Sequence, residues 1–140
     1  MSHYLKYFAT IYLALVILIG ILIYILNLGV IILIPALIAA AFLSARHFVK
    51  TQQRLPSKEE KSKLVWGSTT IAMAFGFIFL FVMIWLHPQT EEVFRTTAYA
   101  GRGPNSFLVA ALIGLHGLVF HIAYNGYARY SLAKLLKKPT

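Results

Sequence analysis

Three stretches of this chain hold no Asp, Glu, Lys or Arg: Tyr7 to Ala45, Leu64 to Leu86 and Gly103 to Ala128. A bilayer core about 30 Å thick is crossed by about 20 apolar residues of helix. The second stretch therefore reads as one span, and the third as one span with an entry turn. The first is too long for one span. It divides at Asn27-Leu28-Gly29, a polar and flexible break that suits a tight turn between two helices. The expectation is a single-domain, all-α membrane protein, residues 1–140, with four transmembrane helices in an antiparallel bundle. The spans fall at about 7–26, 30–45 with an extension to 54, 64–86 with a start near 58, and 106–128. A turn at 55–57 and a loop at 87–105 join them.

Charge orients these spans. All but Arg95 and Arg102 of the 13 Lys and Arg residues lie in three segments. Lys6 is at the N-terminus; Arg46, Lys50, Arg54, Lys58, Lys61 and Lys63 are in the central connection; Arg129, Lys134, Lys137 and Lys138 are in the tail. Basic residues beside a span stay on the cytoplasmic side, and an even number of spans puts all three segments on one face. The predicted topology is N-in/C-in, positive-inside, in a bacterial inner membrane. A single helix across the first stretch would separate the central connection from the tail, which the charge pattern excludes. Trp66 and Trp85, about 28 Å apart along a helix, mark both ends of the third span. Tyr4, Tyr7, Tyr124, Tyr127 and Tyr130 crowd the inner end, where phenol rings can sit at headgroup level.

A chain that is 59% hydrophobic, with a mean hydropathy of +0.74, is too apolar for a soluble domain of this size. The pI near 10.0 points to anionic headgroups and not to nucleic acid, because the basic residues border spans instead of forming one folded face. Cysteine is absent, which excludes thiol redox chemistry and disulfides. The first apolar stretch also lacks the small-residue cleavage site of a removable signal peptide.

Arg46, Lys50 and Arg54 recur every four residues, so the second helix is expected to continue beyond the membrane with one cationic stripe. Pro56 stops it. Ser57 and Glu60 form a capping-box pattern, with Glu59 and Glu60 in the first helical turn, where the helix dipole favours negative charge. The resulting hairpin, with Lys58, Lys61 and Lys63 on its second arm, is the expected docking surface for a protein partner or anionic lipid. On the outer side Thr90 is expected to cap a short helix from Glu91 to Tyr99, with Glu91 and Arg95 paired. Glu91, Glu92, Phe94 and Arg95 there are the candidate contact for another envelope protein.

Lipid removes any hydrophobic drive between helices, so small residues mark the seams. Ala36, Ala40 and Ser44, then Ala72 and Gly76, then Ala110 and Gly114 recur every four residues on the second, third and fourth spans. The first span offers little beyond Gly20. The second, third and fourth are thus expected to form the tight core, with the first packed loosely or facing lipid or a second copy. A proton-coupled transporter needs a titratable group, usually a carboxylate, in the membrane. No span contains an Asp or Glu, so the match to the four-helix small multidrug efflux family is one of dimensions. His116 and His121 point about 140° apart on one helix and cannot chelate one metal together. His121, Tyr124 and Asn125 share a face, from which they are expected to hydrogen-bond to Ser68, Thr69 or Thr70. No catalytic, cofactor or metal residue is predicted.

Glu91-Glu92, Arg95 and His121-x-x-x-Asn125 are similar to fragments of the membrane proteases that process prenylated proteins and bacteriocins. The arginine comes one residue early and the glutamates lie outside the membrane, most of a bilayer from His121, beyond hydrogen-bond reach. The opening His3-Tyr4-Leu5-Lys6-Tyr7-Phe8, the central Pro56-Ser57-Lys58-Glu59-Glu60 turn and the outer Gly101-Arg102-Gly103-Pro104-Asn105 turn resemble those of small four-helix inner-membrane proteins of Gram-negative bacteria. That resemblance implies a role in envelope homeostasis or cell division through partner proteins, with no catalytic residues to carry over. The leading expectation is a non-enzymatic membrane adaptor. The alternatives are a small transporter or channel for an ion or amphiphile and a bacteriocin-immunity protein, with a homo-oligomer compatible with each.

Overall fold

The structure, a computed structural model, describes residues 1–26, 32–86 and 90–137, apart from the side chains of Thr90, Val93, Phe94, Thr97, Ala100 and Arg102. The Asn27-Leu28-Gly29 turn, the start of the second span at Val30, and His87 at the head of the outer loop lie outside the described residues. The helices are α1 (Ser2–Leu26), α2 (Leu33–Gln52), α3 (Lys58–Trp85), α4 (Thr90–Ala100), α5 (Arg102–Ile122) and α6 (Ala128–Leu136). A π-helical turn, Ala123–Tyr127, joins α5 to α6 in one continuous rod. Four of these elements, Ser2–Leu26, Leu33–Gln52, Lys58–Trp85 and the rod Gly103–Leu136, are long and apolar enough to cross a membrane.

Helix ends follow local chemistry. α2 closes on Gln53 in the left-handed region (φ 53°), whose N–H donates to the Val49 carbonyl at 2.8 Å. Ser57 then caps α3: its hydroxyl accepts from the Glu60 N–H at 3.2 Å, and the Glu60 carboxylate accepts from the Ser57 N–H at 2.9 Å. Between α4 and α5 the chain turns at Gly101, where φ 77° suits a residue without Cβ. The last rod begins at Arg102, one turn before the expected Ser106, and runs on past Ala128 to Leu136 because nothing in Arg129 to Lys134 breaks a helix.

α2 contributes two ladders at four-residue spacing, Ala36, Ala40, Ser44, Phe48 and Leu37, Ala41, Ala45, Val49, all buried. The core adds Leu64, Ser68 and Ala72 of α3, and Phe120, Ala123, Tyr124 and Ala128 of the last rod.

The loose first helix expected from sequence is not found. α1 buries Tyr4, Phe8, Tyr12 and Val16, one face at four-residue spacing, and packs on both α2 and α3. Its fit is side chain into gap rather than small on small. A Cβ on Gly20 would stand 2.7 Å from the Phe79 ring, and one on Gly67 would stand 2.8 Å from Leu5, so each glycine leaves room for a larger partner side chain.

The small-residue stripe of the last rod behaves in the opposite way. Ala110 and Gly114 are exposed, and a Cβ on Gly114 or Gly76 would meet nothing within 4 Å. Two of the tyrosines expected at headgroup level are also core: Tyr4 and Tyr124 are buried. Tyr7 stacks on His47 with centroids 3.8 Å apart, and Tyr127 on Phe42 at 4.7 Å. Their hydroxyls or ring faces find partners inside the protein.

Candidate functional site: the basic end of the helices

Most of the polar interactions gather at one end of the long helices, where α2 turns into α3 and α1 begins. Arg54 is held there by three groups. Its guanidinium donates to both oxygens of Glu60, at 2.7 and 2.8 Å, and to the Leu55 carbonyl at 3.2 Å. It also lies 5.7 Å from the Phe48 ring centroid. The Arg54 guanidinium, then the Ser57 backbone N–H, holds the Glu60 carboxyl well below its ordinary 4.5, at about 2. The same bonds push Arg54 upward.

This corrects the expected cationic stripe. Arg54 is a structural clamp across the turn, because Glu60 of the capping box sits within its reach. Arg46 and Lys50 stay exposed, but they face a different neighbour: they line a recess of about 330 Å³ with Tyr127, Tyr130, Ser131, Lys134 and Leu135 of the last rod. Lys58 and Lys63 are exposed on the first turns of α3, and Lys61 is half-buried. The basic end thus presents two separate cationic surfaces, the hairpin arm and the α2–α6 recess.

Beside the clamp lies an aromatic group that sequence reasoning missed. Tyr4 packs against Phe48 with centroids 4.9 Å apart and accepts a 2.6 Å hydrogen bond from Gln52. His47 lies between Tyr7 and Tyr4, 6.1 Å from His3. The available signal was the spacing of Tyr4, Phe8 and Tyr12, which places all three on one face of α1.

The predicted intramembrane cluster assembles only in part. The Tyr124 hydroxyl shares a 2.8 Å hydrogen bond with Ser44 of α2, not with α3. Ser68 Oγ stands near that hydroxyl without making the bond, and Ser68 and Thr69 are buried with unpartnered hydroxyls. Thr70 is exposed and bonds back to the Trp66 carbonyl at 3.0 Å, the local option open to any helical threonine. His121 is exposed and Asn125 half-buried. The π-turn explains this separation: the Ala128 N–H reaches back to the Ala123 carbonyl, an extra residue enters the turn, and regular helical spacing fails there. His116 bonds its Nδ1 to the Leu112 carbonyl at 2.7 Å and lines an apolar cavity of about 430 Å³ with Tyr12, Leu37, Gly76 and Leu115. Among the described residues, no three His, Cys, Asp or Glu side chains converge as metal ligands do.

At the opposite end, α4 holds Glu91, Glu92 and Arg95 exposed, while the Phe94 side chain lies outside the described residues. The expected Glu91–Arg95 pair is not formed; among the described residues the ion pair is Arg54–Glu60. Exposed ion pairs yield little net energy, so α4 loses little without one.

Compared with known proteins, the chain matches no family model, and no curated protein and no solved structure is significantly similar to it.

Proposed function

We propose that the protein is a non-enzymatic adaptor of the bacterial inner membrane, with both termini and the α2–α3 hairpin in the cytoplasm. On this reading the four long helices form an antiparallel bundle that anchors the hairpin. The hairpin then presents Lys58, Lys61 and Lys63 to a partner of the cell-envelope or division machinery.

The observation that carries the reading is the lock on the hairpin. Arg54–Glu60, the capping box and the Gln53 turn together fix the connection at 53–57, which would otherwise be free. Rigidity of that kind lowers the ordering cost of binding and serves recognition better than charge retention alone. The exposed Glu91, Glu92 and Arg95 of α4 form a second, periplasmic contact in the same scheme.

The test is a photoreactive side chain placed at the exposed Ser62, with crosslinking in growing cells. Charge reversal by K58E/K61E/K63E is expected to abolish the adduct while membrane insertion is unchanged. An adduct of equal yield in the reversed variant would count against an adaptor working through this arm.

A further inference from the structure

The geometry points to a binding site for the phosphate headgroup of an anionic phospholipid in the recess between α2 and α6, built by Arg46, Lys50, Ser131, Tyr130 and Lys134. This rests on the proposed placement of the basic end at the inner leaflet, and it assigns to lipid a surface distinct from the hairpin arm.

Charge is the first ground. Three cations from two helices line one recess of about 330 Å³. The acids of the chain are Glu59, Glu60, Glu91 and Glu92, and none lines it. Glu60 is already bound by Arg54. The recess is therefore an uncompensated positive pocket between helices, the arrangement that takes lipid phosphates.

Shape is the second. Ser131 is 7% exposed and sits at the recess wall, while the ring of Tyr127 is fixed by stacking on Phe42. Tyr130, 62% exposed, also lines the recess. Hydroxyl donors beside cations suit the oxygens of a phosphodiester.

The third ground selects lipid over a soluble anion. Arg46 immediately follows the expected end of the second span at Ala45. Leu43, Ala39 and Pro35 lie on the Arg46 side of α2 by helical spacing, and all three are exposed. An apolar strip thus runs from the charged recess along the span, giving a path for an acyl chain beneath a bound headgroup. A free phosphate or an acidic peptide would have no use for it.

Native mass spectrometry of the full chain in detergent, with phosphatidylglycerol or phosphatidylcholine added, tests the site. Phosphatidylglycerol is expected to be retained in preference. R46Q/K50Q/K134Q should weaken retention on the order of a hundredfold, about fivefold per charge. K58Q/K61Q/K63Q removes the same charge from the hairpin and should leave retention unchanged. Lys134→Gln alone, at an exposed position, is expected to weaken retention about fivefold and keeps the test decisive when the triple variant does not fold. Equal loss in the two triple variants, no preference over phosphatidylcholine, or displacement by excess inorganic phosphate would overturn the proposal. The orientation fails separately, through labelling of Lys58 and Lys63 by a membrane-impermeant amine reagent in intact cells, because binding in detergent does not depend on it.

Discussion

The two ends of the long helices are built on different principles. At the basic end Phe8, Phe48, Leu64 and Phe120 are fully enclosed, Ser44 and Tyr124 bond across the core, and the connection is clamped. At the other end Tyr24, Ile25, Ile78, Trp85 and Phe107 stand exposed, and a cavity of about 430 Å³ opens among Leu33, Gly76, Phe77 and Leu112. The exposed end is rich in large apolar residues, so hydrophobicity alone does not close a core. What separates them is shape. In lipid, apolar surface gains nothing by leaving the solvent, and helices close only where aromatic knobs meet small residues or polar groups bond.

Breaking the contrast at its strongest point has the largest expected effect. Phe120→Ala should cost about 3–5 kcal/mol in reversible unfolding from detergent micelles, whereas Phe107→Ala, 77% exposed at the far end, should cost close to nothing. Equal losses would mean that the two ends are packed alike. Next, filling the glycine gap is expected to cost about 1–3 kcal/mol in Gly20→Leu, where the Phe79 ring occupies the space. Gly114→Leu, with open space around it, should be tolerated, and a reversed order would place the seam on the last rod after all.

The smallest effect belongs to the clamp. Glu60→Gln should raise amide exchange in the turn at 53–57 while global stability stays nearly unchanged, as for other exposed ion pairs. Its pH dependence has a definite sign. Because Glu60 is held at about 2 in the fold against an ordinary 4.5, its contribution is complete above about pH 4.5 and disappears as pH falls toward 2. Loosening of the turn that begins above pH 6 would show that another group controls it.

The four long apolar helices and the capping box could be read directly from the chain, since an uncharged stretch and an S-x-x-E pattern each reflect one local energy term. Ser57, Glu60 and Pro56 needed no tertiary information. The packing order could not be read in this way. Ala110 and Gly114 have the same spacing as Ala36 and Ala40, yet only the second pair is buried, because a gap closes only if its partner helix offers something to fill it. The role of Arg54 was hidden for a related reason: a stripe of cations on a helical wheel does not show that the chain folds back and brings Glu60 to the last of them. Tyr4, Phe8 and Tyr12 carried a usable signal, an aromatic face that interfacial tyrosines alone would not require.

The π-turn at Ala123–Tyr127 makes the final rod a two-phase object. A helical wheel drawn straight through it is out of register by about 100° after Tyr127, the angle of one residue. Ser131 and Lys134, which share the recess with Arg46 and Lys50, lie beyond that offset. Loss of one residue from Ala-Tyr-Asn-Gly-Tyr would restore a regular helix while swinging the basic tail away from Arg46 and Lys50. A single codon therefore separates a chain with a shared recess between two helices from one with scattered positive charge.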